Sequence, residues 1–202
     1  MCMKRWIVIS VSVLSLLSCS MKPDKWSRDE MALITEECQV MRVLTEDVPE
    51  DSLFLRENST SLAPELIADD TYRMLAAKMV ATVTSPEQDG VGIAAPQVGI
   101  HRRVVAVMRY DREGTPFEVY PNIRITEYHG ALEEGPEGCL SVPGMRGVVP
   151  RYQEIEICYT SPLTLTDTSE LVAGYTAVIF QHECDHLDGI LYTDKAVSIT
   201  EL

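Results

Sequence analysis

Apolar residues recur at helical spacing between Pro64 and Thr84. Ile67, Met74, Leu75, Met79 and Val83 fall on one face, and Pro64 suits a first-turn position, so this stretch predicts a single helix. The run from Arg103 to Met108 is almost continuously apolar and predicts a buried strand. Residues 117–120, 123–125 and 154–159 alternate apolar and polar positions and predict half-buried strands. Late in the chain, Gly174 to Gln181 is largely apolar and leads into a polar string, a second helix that runs into the core. Ile190 to Tyr192 predicts a short strand after it. The expected fold class is α+β, antiparallel strands wrapped around a central helix. No internal repeat breaks the pattern.

The chain has 202 residues, 46% apolar and 24% charged, enough for one ordinary core. Its formal net charge is −14, which disfavours docking on nucleic acid by charge. No nucleic-acid partner is therefore expected.

Chemistry enters at residues 182–186, His-Glu-Cys-Asp-His. Helix positions i and i+4 lie one above the other, so His182 and His186 can present two imidazoles to one metal ion. Glu183 lies beside them, placed to move protons of a water. Two solvated histidines on a polar face are the plainer alternative. Against it, the chain has only four histidines and two are here at ligand spacing. A hydrolytic site wants a third protein ligand and an open position. His101 sits among arginines and His129 near a turn at Gly130. Cys139, between Gly138 and Pro143 in a short extended run, is the better candidate, although a buried structural cysteine is common.

Residues 90–99 combine glycines, small residues and one amide side chain, Gln97. Their spacing does not fit a dinucleotide-binding loop. Taken together and in order, residues 90–99, residues 137–143 and the HECDH string resemble the three signature motifs of the peptide deformylases. The resemblance runs from about Val40 to about Thr193.

The resemblance implies Cys139, His182 and His186 as metal ligands and Glu183 as general acid/base. It implies Gln97 and the backbone N–H of Leu140 as oxyanion donors. Gly92 would hold the substrate backbone extended, with Arg146 flanking the groove. Val91, Glu137, Tyr175, Val178 and Ile179 would surround the methionine side chain, with Tyr175 and Ile179 leaving the pocket's size open. The implied reaction is hydrolysis of the N-formyl group of formyl-methionyl peptides, releasing formate, with one Fe(II) or Zn(II) ion. Cys184 is expected to pack and Asp185 to pair with Arg151.

The first eighteen residues carry a second message. Lys4 and Arg5 precede an apolar run from Trp6 to Leu17, and Ser18 precedes Cys19. This predicts a lipoprotein signal peptide over residues 1–18, lipid on Cys19, a polar tether over 19–39 and a catalytic domain over 40–202. The protein would then be exported and held on a membrane. A start at Met21 is the alternative and would leave it cytoplasmic. Residues 1–18 contain two bases and no acid, so their removal makes the chain more acidic still. Cys38, Cys158 and Cys184 form no evident disulfide framework. Two other functions use parts of the same pattern. A zinc peptidase would use the HECDH string but not the other two motifs. A formyl-peptide-binding lipoprotein would not need Glu183.

Overall fold

A computed structural model describes residues 24–202. Four helices come first: α1 (Arg28–Thr35), α2 (Pro49–Leu55), α3 (Pro64–Ile67) and α4 (Asp70–Val83). Strands β1 (Gly92–Ala94), β2 (Val104–Met108) and β3 (Phe117–Pro121) make one antiparallel sheet in that order. Strands β4 (Arg124–Cys139), β5 (Val142–Thr160) and β6 (Asp167–Ala173) make a second, and β7 (Ser198–Glu201) joins it alongside β5. Helix α5 (Tyr175–Leu187) lies between the sheets. The α+β expectation holds, with α5 as the central helix.

The packing explains why α5 is so apolar for a helix that carries a polar string. Ala177, Ile179, Phe180, Cys184 and Leu187 are all buried. They meet Ala94, Val105 and Val107 from one sheet and Ile155, Ile157 and Val172 from the other. Cys184 is thus a packing residue, as expected. A second cluster joins Leu75, Met79 and Val83 of α4 to Ile34 of α1 and to Ile93, Val104 and Ala106. The core therefore grips β1 and α5 from both sides, and these two elements carry the candidate chemistry.

Three expectations need correction. The single helix over 64–84 is two helices, because Asp69 stops one and caps the next. Its carboxylate accepts from the Tyr72 N–H at 3.0 Å, and its own backbone is extended at φ −87° and ψ 166°. Met74 is left 40% exposed, off the core face. Residues 190–192 form no strand. Tyr192–Asp194 is a 3-10 turn, closed by the Asp194 carboxylate on the Leu191 N–H at 2.9 Å.

The third correction concerns the tether. From Asp24 on, the segment is part of the domain. Helix α1 opens with a capping box: Ser27 Oγ accepts from the Glu30 N–H at 3.1 Å, and Glu30 accepts from the Ser27 N–H at 2.6 Å. Arg102 then binds Asp24 at 2.9 Å and Glu30 at 2.6 Å, and Ile34 is fully buried. A chain starting at Val40 should therefore be less stable than one starting at Asp24. The expected loss is at least about 2 kcal/mol, the scale of one buried isoleucine. Equal denaturant midpoints for the two chains would restore the tether reading. The expected leader and Cys19 lie outside the described residues. Among the described residues, no helix is long and apolar enough to cross a membrane.

Candidate metal centre and peptide cleft

The site is assembled from three elements. Helix α5 supplies His182 and His186 one turn apart. The tight β4–β5 hairpin supplies Cys139, which pairs with Val142 across it. The turn after β1, Ala95–Val98, supplies Gln97. Ligand atoms of Cys139, His182 and His186 lie within 4.8 Å of one another, and no other such trio of His, Cys or acidic groups occurs among the described residues. Cys139 Sγ sits 3.2 Å from His186 Nε2. His101 is elsewhere, stacked on Phe54 at 3.6 Å with Nε2 on the Phe54 carbonyl. His129 is on β4 beside Glu127 at 3.7 Å. One sulfur and two imidazoles match the donors that Fe(II) and Zn(II) accept, and the spacing fits one ion.

Glu137 lines the cleft, and its carboxylate is bonded to His182 and Arg151. Oε2 meets His182 Nδ1 at 2.8 Å, which leaves Nε2 as the nitrogen for a metal. Arg151 closes the chain, with Nε on Glu137 at 2.7 Å and Nη1 on Asp185 at 2.6 Å. The Arg151–Asp185 pair is the one the sequence suggested. Burial alone would raise the Glu137 carboxyl, but hydrogen bonds from His182 and Arg151 hold it at about 2. It stays an anion, and so orients His182 at any working pH.

Glu183 is the opposite case. It is buried, and its Oε2 has no hydrogen-bond partner among the described residues. Burial pushes its carboxyl up to about 7, against the opposing pull of His182. An unpartnered buried carboxylate beside a donor trio costs stability and suits proton transfer.

A cleft of about 360 Å³ opens over this centre. Gln97 is 1% exposed at its base. Its Oε1 accepts from the Ala94 N–H at 2.8 Å, which aims Nε2 at Ser141 Oγ (3.2 Å) and toward Cys139 Sγ (3.7 Å). Leu140 borders the same floor. Val91, Gly92, Tyr175, Val178, Ile179 and Arg146 line it as well. Every candidate residue is thus brought to one cleft or its underlying centre. The sequence reading missed Ser141 and also Tyr192, whose ring lies against His182 at 6.0 Å. It missed the Glu137–His182 contact as well. One signal was available: Glu137 stands only two residues before Cys139.

The glycine at 92 has a steric reason. A Cβ there would collide with Glu183 Oε1 and come within 2.8 Å of Ile179 Cγ2. Gly92→Ala should therefore displace the Glu183 carboxylate and cut turnover at least about tenfold while metal content stays normal. Unchanged kcat with Ala at 92 would show that the close approach is unimportant.

A sulfur and two imidazoles over a buried carboxylate, at the base of an extended cleft in an α+β scaffold, define the class of single-metal amide hydrolases. Comparison with known sequences and structures gives the family. A sequence profile of the polypeptide deformylases matches residues 44–201, and the chain belongs to that family. A peptide deformylase of Leptospira biflexa is 36% identical over 151 residues, covering 71% of this chain and 83% of its own. Peptide deformylase 2 of a Nostoc species is 42% identical over 146 residues, covering 66% and 76%. The Acinetobacter baumannii class I type b peptide deformylase with Met-Ala-Ser bound is 33% identical, with a TM-score of 0.67 over 77% of this chain and 98% of that one. The chain is a deformylase by family and fold, and the family is metal-dependent.

Proposed function

We propose that the cleft hydrolyses the N-formyl group of formyl-methionyl peptides. The observation that carries this is the unpartnered, buried Glu183 carboxylate beside the Cys139, His182 and His186 donors. The bound Met-Ala-Ser of the Acinetobacter baumannii enzyme supports a peptide of that kind in the cleft. Cys139, His182 and His186 would hold one Fe(II) or Zn(II) ion, which supplies Lewis acidity and a water acidic enough to be deprotonated near neutral pH. Glu183 takes a proton from the attacking water and returns it to the departing amine. The Gln97 amide and the Leu140 N–H donate to the formyl oxygen as charge builds there, each worth roughly 3 kcal/mol of barrier. Gly92 and Val91 align the peptide backbone, Val178, Ile179 and Tyr175 border the methionine side chain, and Arg146 stands along the downstream chain. Glu137 acts through His182. An endopeptidase reading explains neither the Gln97 turn nor the Cys139 hairpin, and a binding protein has no use for Glu183. Formate release from formyl-Met-Ala-Ser by the metal-loaded protein tests the reading. Cleavage of internal bonds without formate would overturn it.

We further propose that the enzyme is exported and anchored through lipid on Cys19. The support is in the sequence alone: two bases, an apolar run to Leu17, and Ser18 before Cys19. A lipobox cysteine carries more than one acyl chain, which suffices for stable anchoring. Substrates would then be formyl-peptides outside the cytosol. Cys19→Ala should leave an unprocessed precursor, visible by intact mass. An unlipidated species beginning at Met1 or Met21 in the soluble fraction would return the enzyme to the cytoplasm.

A further inference from the structure

Ser141 stands two residues beyond Cys139, and three of its groups touch the centre or its supports. Its hydroxyl accepts from Gln97 Nε2 at 3.2 Å, its N–H approaches Cys139 Sγ at 3.4 Å, and its carbonyl accepts from the Glu46 N–H at 2.9 Å. The residue is fully buried, so bulk water does not compete for the hydroxyl.

The Gln97 side chain gives that hydroxyl its purpose. A side-chain amide is planar, with an acceptor oxygen at one corner and two N–H donors at the other. Oε1 is held by the Ala94 N–H at 2.8 Å, and Ser141 takes one of the two Nε2 hydrogens. The plane is fixed at both ends, and the second hydrogen is left for the formyl oxygen. Among the described residues, the other contact of Nε2 is Cys139 Sγ at 3.7 Å, a long and weak one. Without the hydroxyl, that sulfur is the acceptor that remains. The amide then turns toward it and away from the oxygen it has to meet. A donor aimed in advance stabilises developing charge more than one that must be re-aimed during the reaction.

A strap from the start of the domain keeps the two turns together. The Leu44 N–H donates to the Gln97 carbonyl at 2.8 Å, and the Glu46 N–H donates to the Ser141 carbonyl at 2.9 Å. Between them, the Thr45 N–H donates to Asp51 Oδ2 at 3.1 Å. Asp51 is buried and held in turn by Arg42 through bonds of 3.0 and 2.5 Å. Gln97 and Ser141 are far apart in sequence, yet their backbones are set against each other before the side chains meet. The hydroxyl therefore reaches the amide at little ordering cost, as a supporting contact should.

We propose that Ser141 is a positioning residue for deformylation, whose hydroxyl holds the Gln97 amide with one N–H facing the formyl oxygen. This rests on the formyl-peptide reading above. The test is a double-mutant cycle on the full-length zinc-loaded enzyme with formyl-Met-Ala-Ser, using Ser141→Ala, Gln97→Met and the two together. Ser141→Ala should lower kcat about tenfold, with KM nearly unchanged and the metal retained, because the lost interaction is made in the transition state. In the Gln97→Met background there is no amide to aim, and the same change should alter kcat by less than about twofold. A loss of equal size in both backgrounds is the signature of a merely structural role and would overturn the proposal. So would an unchanged kcat for Ser141→Ala. A second measurement needs no turnover. In nitrogen-15-labelled, zinc-loaded protein, Ser141→Ala should move the Gln97 side-chain amide resonances and speed their exchange with water. Resonances that stay in place would overturn the contact, whatever the activity showed. No formate from the wild type would instead sink the deformylase reading, and the amide resonances alone would then decide whether Ser141 holds Gln97.

Discussion

Glu183→Gln should lower kcat on formyl-Met-Ala-Ser at least about a hundredfold, the usual scale for loss of a general acid/base. The substitution is nearly isosteric, and Glu183 is not one of the three donors. Its Oε2 is unpartnered in the buried site, so no hydrogen bond is lost when the charge goes. KM should therefore change little, because the lost interaction belongs to the proton transfer and not to ground-state binding. Metal content should remain one ion per chain, and the denaturant midpoint should not fall, since burying a neutral amide is less costly than burying an ionised carboxylate. Glu183→Asp supplies a second measure. It keeps the acid but withdraws it by one methylene, and should fall between the wild type and Gln. Formate release and metal analysis on the same samples decide the matter. Near-normal turnover by a metal-replete Gln variant would remove Glu183 from the mechanism.

The elements that were legible in the sequence are those whose pattern follows burial. β2 is buried along almost its whole length, and α5 is clasped by two sheets, so both read as apolar runs. β4 did not read. It is exposed along most of its sixteen residues, so no alternation marks it, and its register shifts near Gly130, where φ is +76°. Only its two ends, at Ile125 and at Cys139, were visible. β5 was seen only over its buried half, although it runs on to Val142. Helix α1 was hidden for a different reason. Its composition is polar, and only Ile34 is buried, so nothing but the capping box at Ser27 and Glu30 announced it.

The site was more legible than the fold around it. Ligands to one ion must be particular residue types at fixed spacing on a helix, and such constraints survive in a string of five residues. Contacts between distant segments leave no such trace. Glu137 shows the difference: its place next to Cys139 was evident, but its partner His182 is forty-five residues away and became known only when β4 met α5.

Cys139→Ser should release the metal. A serine hydroxyl is neutral at pH 7 and binds a divalent transition metal poorly, whereas a thiolate contributes both charge and soft donor character. The hydroxyl is also set for a shorter bond than the roughly 2.3 Å of a zinc–sulfur contact, so it does not reach the same point. The hairpin itself should persist, because the pairing of Cys139 with Val142 is made by backbone atoms. Gln97 and the Ser141 N–H, now 3.7 and 3.4 Å from the sulfur, lose a weak acceptor and keep their other neighbours. The fold should therefore survive while metal affinity drops by at least about a hundredfold, and formate release should vanish after dialysis against a chelator that leaves the wild type loaded. Two readouts separate ligand loss from misfolding. Circular dichroism should match the metal-free wild type, and the metal-dependent rise in melting temperature should disappear. His101 is held against Phe54 and His129 lies out on β4, so neither is near enough to replace the sulfur. One ion bound by the Ser variant with unchanged affinity would refute the Cys-His-His centre, whatever the activity showed.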